Sequence, residues 1–144
     1  MIQEEINENN KLIAEFMDGK EVDWFSERVI IMPFAENINK NNYLKLSNSY
    51  ILDREVKYHY SYEWLMPVVD KISKVVIKGN PPYNNDQYAR VEIVPNGYVK
   101  ISNFRDSPIT KNISIEGSLI NAIYKAVVLF IKWYNKLNSN ENTN

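Results

Sequence analysis

From Ser118 to Leu137 the chain carries apolar residues at helical spacing almost without a break, including the unbroken apolar run from Ala126 to Ile131. Among them Asn121, Lys125, Lys132 and Lys136 form one narrow polar stripe. A helix this apolar around its circumference has to be covered on most of its surface. The rest of the chain must therefore wrap it. Gly117 followed by Ser118 marks its start, because a serine hydroxyl accepts a hydrogen bond from a first-turn amide. Val128 falls within the polar stripe and Leu129 lies at its edge, an intrusion of apolar surface on the wet side. The apolar run is far short of the roughly 20 residues needed to cross a bilayer.

The covering elements follow from periodicity. Leu12, Ile13, Phe16 and Met17 predict an amphipathic helix over residues 3–17, stopped by Asp18-Gly19. "ARVEIVPNGYVKIS" is two alternating runs about a Pro-Asn-Gly turn, which predicts a β-hairpin of 89–94 with 97–102. Val91, Ile93, Val99 and Ile101 share its apolar side, and Glu92 and Lys100 its polar side. "NISIEG" repeats the alternation and offers a third strand. Residues 20–56 carry less pattern: "RVIIMPF" reads as a short strand ended by Pro33, and Tyr43 to Leu46 as a weak one. The expected fold is α+β, a small antiparallel sheet of three to four strands with three helices packed on one face. A single domain over 1–137 and a solvated tail over 138–144 complete it; 144 residues suffice for one core.

"KYHYSYEWLMPVVDKISK", residues 57–74, holds the only histidine and a proline inside a helical pattern. Ser61 reads as an N-cap, Trp64, Leu65, Val68, Val69 and Ile72 as a buried stripe, and Asp70 with Lys74 as an ion pair four apart. Pro67 either leaves an irregular first turn or is itself the first helical residue. His59 precedes that start, where an imidazole bonds to a helix-end group or stacks on tyrosine, a structural role in preference to catalysis. Trp64 and Trp133 are expected in the core, with Phe130 and Tyr134 at helical spacing beside Trp133.

Several chemistries are disfavoured by absence. The formal net charge of -1 gives no global field for nucleic acid or an anionic membrane. With no cysteine there is no disulfide, thiol nucleophile or thiolate ligand, and a single histidine makes a zinc centre improbable. Neither a Gly-rich phosphate loop nor a GxSxG elbow occurs. A pair of carboxylates with separated pKa values stays open as acid/base chemistry. The amino terminus is acidic and polar, unlike a signal peptide, so a cytoplasmic protein is expected.

Three blocks, "NKLIAEFM" (10–17), "KYHYSYEWLMPVVDKI" (57–72) and "AIYKAVVLFIKWYN" (122–135), resemble in order and spacing a family of short phage and prophage proteins of Bacteroidetes. Tyr58, His59, Ser61, Trp64, Leu65, Met66 and Pro67 fit its pattern. The chain departs from it at Tyr62-Glu63, where Trp-Asp is usual, and at Leu129, where an acidic residue is usual. The resemblance implies a genomic context and no mechanism. The expected function is a small non-catalytic protein-interaction module without cofactor or metal. Its partner is another protein or a second copy held through the C-terminal helix, with Tyr58, His59, Val128, Leu129 and Lys132 as candidate interface residues. The alternatives are a counter-defence protein that binds a small nucleotide signal, and a carboxylate-based enzyme.

Overall fold

The computed structural model describes residues 1–18, 20–24, 27–31, 50–52, 56–77, 87–102, 113–114 and 117–141. Among them are three α-helices and small antiparallel sheets of two or three strands, the mixed α+β class that the sequence predicts. Where the sequence reading treats 1–137 as one domain, contacts within the chain gather into two compact units, Met1–Tyr58 and His59–Asn144.

The first unit opens with α1 (Gln3–Phe16). Glu4 and Glu5 stand in its first turn, where negative charge meets the positive end of the helix dipole. The helix stops as expected: Asp18 donates its amide to Glu15 O at 3.0 Å and takes φ 65°, a left-handed conformation that Asp tolerates better than most residues. Its buried face is shifted from the expected one. Ile13 and Ala14 are buried together with Asn9 and Asn10, while Leu12, Phe16 and Met17 are half-buried. Asn10 is accommodated because its Nδ2 donates to Val56 O at 3.4 Å, a link that ties the helix to the end of this unit. A buried amide left without such a partner would cost roughly 1 to 3 kcal/mol.

Beside α1 lies β1 (Lys20–Trp24), paired antiparallel with β2 (Glu27–Ile31), which pairs in turn with β3 (Tyr50–Leu52). β2 is the strand expected from "RVII". β1 was not anticipated, and the weak strand at Tyr43 to Leu46 lies outside the described residues.

In the second unit α2 (Tyr62–Lys74) leads into β4 (Val76–Ile77), which pairs with β5 (Gln87–Tyr88). The predicted hairpin follows as β6 (Arg90–Ile93) and β7 (Tyr98–Ser102), with Val91 opposite Ile101, Glu92 opposite Lys100 and Ile93 opposite Val99. Its turn combines Pro95 at the second position with Asn96 at φ 59° in the third, the pattern of a type II turn. Gly97 donates to Val94 O and Val94 to Tyr98 O, both at 2.9 Å. A Cβ at position 97 would sit 2.9 Å from Val94 Cγ1, so a larger residue there would have to displace the Val94 side chain. β8 (Ile113–Ser114) adds the third strand beside β7.

α3 (Leu119–Glu141) packs on β7 and β8, and α2 on β6 and on α3. Val99 and Ile101 are buried, and Lys100 Nζ lies 3.9 Å from Glu92 Oε2 on the partly wet side. Among the described residues Tyr124 and Phe130 are the largest side chains fully buried. Two expectations change here. Trp64 and Trp133 are half-buried, not core, because an indole is too large to be enclosed on these helix flanks. The helix also continues to Glu141, so Asn138, Ser139 and Asn140 are exposed but helical, with Ser139 Oγ bonded back to Asn135 O at 2.8 Å.

Candidate functional site

The segment around His59 is built by the start of α2. Ser61 is extended and makes no side-chain cap; its carbonyl instead accepts from Trp64 N at 3.2 Å and Leu65 N at 3.0 Å. The helix thus begins at Tyr62, and Pro67 is an interior residue. Proline supplies no amide hydrogen for the carbonyl four places back, that of Glu63, and Glu63 and Pro67 both face water, which can serve it. On the covered side Leu65, Val68, Val69 and Ile72 are buried. Asp70 and Lys74 form the expected ion pair at 2.7 Å.

The exposed side is less ordinary. Tyr60, Tyr62 and Met66 are 57%, 46% and 41% exposed. Tyr62 and Met66 are four residues apart on α2, hence neighbours on its surface. They lie off the stripe formed by Leu65, Val68, Val69 and Ile72. That displacement was the signal in the sequence that could have singled them out.

His59 is half-buried and packs as a ring. Its centroid is 4.6 Å from that of Tyr60 at 82° and 6.2 Å from that of Tyr124 on α3 at 63°, both edge-on. This is the tyrosine contact expected of a structural imidazole. Burial holds its pKa below the ordinary histidine value, and burial pushes the Tyr58 phenol well above its ordinary range. Both side chains are uncharged at neutral pH.

The candidate residues therefore separate. Tyr58 and Val128 are buried, which removes both from any exposed interface. Val128, 5% exposed, continues a buried column with Tyr124 four residues before it and Ile131 three after. Leu129 is 47% exposed and completes the outer stripe with Asn121, Lys125, Lys132 and Lys136. His59 is brought against α3 through Tyr124, whereas Leu129 and Lys132 sit on that helix's outer side. The Glu92 carboxylate on the hairpin is engaged by cations, with Arg90 at 3.3 Å and Lys100 at 3.9 Å. Among the described residues no three His, Cys, Asp or Glu gather as a metal site, and no helix is long and apolar enough to cross a membrane.

Compared with known protein families, curated proteins and solved structures, the chain matches none.

Proposed function

We propose that this chain is a small non-catalytic interaction module that holds a protein partner through the exposed start of α2. The observation that supports this reading is the exposure of Tyr60, Tyr62 and Met66 on one short stretch. Tyrosine and methionine are enriched at protein interfaces, where a large side chain that is not enclosed by its own fold becomes enclosed by another. Leu129, alone among charged and amide neighbours on α3, is a lesser contact. The three-block resemblance to phage and prophage proteins suggests a partner in the cytoplasm of a bacterial host.

The test is affinity capture from host lysate with the full chain and with a Tyr62→Ser, Met66→Ser double variant. The reading expects a discrete protein retained by the first and lost by the second, with the two melting alike. If the double variant retains the same protein, or native mass spectrometry finds only a small molecule bound, the reading fails.

A further inference from the structure

The hairpin turn carries a feature that its structural role does not use. Asn96 is the one asparagine in the sequence followed directly by glycine. It is exposed, at the tip of the hairpin, and Gly97 offers no side chain to shield its own backbone nitrogen. We propose that Asn96–Gly97 is a site of spontaneous deamidation, at which the folded protein converts its turn to aspartate and isoaspartate.

The pair is fixed by the fold. Position 96 takes φ 59°, which Asn adopts more readily than other residues bearing a side chain. At position 97 a Cβ would lie 2.9 Å from Val94 Cγ1, so any other residue would push the Val94 side chain aside. The requirements that make this turn close thus place the most reactive amide sequence in the chain at its surface.

The chemistry needs only water and a base. Gly97 N, after giving its proton to solvent base, attacks Asn96 Cγ. The side-chain nitrogen of the adduct takes a proton from solvent and leaves as ammonia, which closes a five-membered succinimide. Water then opens the ring at either carbonyl. Breaking the bond from Cγ to the Gly97 nitrogen restores an ordinary chain with an aspartate. Breaking the bond from the Asn96 backbone carbonyl carbon to that nitrogen leaves the chain running through Cβ and Cγ, as isoaspartate. Each event exchanges an amide for a carboxylate and adds one negative charge to a formal net charge of -1. The isoaspartyl form also lengthens the main chain inside the turn, which opposes the Val94 N to Tyr98 O bond that closes it.

One contact opposes the reaction. Gly97 N–H is held by Val94 O at 2.9 Å, and that bond must open before the nitrogen can attack. Hairpin tips open locally at low cost without global unfolding. The folded chain therefore reacts, more slowly than the unfolded one.

The experiment incubates the folded full-length protein at neutral and at mildly alkaline pH, with a urea-unfolded sample alongside, and follows each asparagine peptide by mass. The expected result is that the peptide holding Asn96 gains the mass of an amide-to-acid exchange before any other. It should do so faster at the higher pH, as two products of equal mass, with a matching acidic shift of the intact protein. An Asn96→Gln variant should leave that peptide unconverted, because the equivalent ring is larger and closes far more slowly. Conversion of another asparagine first in the folded protein, or conversion at Asn96 only in urea, overturns the proposal.

Discussion

Helices α2 and α3 begin alike in sequence and differ in structure. Each follows a serine suited to capping. Ser118 makes the bond, its Oγ accepting from Asn121 N at 3.4 Å behind Gly117 at φ 93°; Ser61 does not. α3 then buries its central apolar side chains from Ala122 to Ile131, leaving Leu129 outside, whereas α2 interrupts its ladder with Pro67 and leaves Tyr62 and Met66 in water. An element with a cap and a closed apolar surface serves as framework. One with an uncapped start and unspent aromatic surface is suited to recognition, since little of the fold depends on those side chains.

The largest break in that comparison comes from α3. Phe130→Ala removes a fully buried ring and should cost about 3 to 5 kcal/mol in denaturant unfolding. Met66→Ala on α2, by contrast, should stay within about 0.5 kcal/mol, as exposed substitutions generally do. Trp133→Ala should fall between them, at about 2 kcal/mol, because part of the indole is already in water. A Met66 cost equal to that of Phe130 would mean that α2 is framework too.

The caps sharpen the contrast on a smaller scale. Ser118→Ala should cost about 1 kcal/mol, the usual worth of a capping hydroxyl, and Ser61→Ala only a few tenths. Equal losses in chemical melts would erase the difference drawn between the two starts.

The smallest effect is the pH response of His59. Its pKa is lower in the folded chain than in the unfolded one, so the unfolded chain binds the proton first as pH falls. Stability from keeping it neutral is fully present above the ordinary value of about 6.5 and declines as pH drops from there toward the folded pKa. His59→Gln should remove that slope and keep any partner binding. A flat wild-type profile over that window, or loss of binding in a folded His59→Gln protein, would argue for a role beyond packing.

Much of this was legible in the residues. The period of α3, the Pro-Asn-Gly turn and the alternation of β6 and β7 are local signals, and the structure follows them to the register of Val91 opposite Ile101. What was not legible depends on distant partners. Asn9 and Asn10 are polar residues with no apolar signal of their own, and a bond to the distant Val56 carbonyl helps make the burial of Asn10 tolerable. β1 is five residues whose pairing with β2 gives it an identity that "KEVDW" alone does not announce. At the candidate site, helical spacing puts Val128 within the polar stripe and Leu129 at its edge, the reverse of their burial. Packing against the rest of the unit decides that Val128 is inside and Leu129 outside. Tyr62 and Met66 lie off the buried stripe of α2, and their exposure depends on what the rest of the unit leaves uncovered.

The most direct test of recognition through α2 is oxidative footprinting of the full chain, free and with its captured partner. The account predicts that Tyr60, Tyr62 and Met66 are modified in the free protein and protected in the complex, while Leu129 changes little. Protection of Leu129 with Tyr60, Tyr62 and Met66 still reactive would contradict it and move the interface to α3.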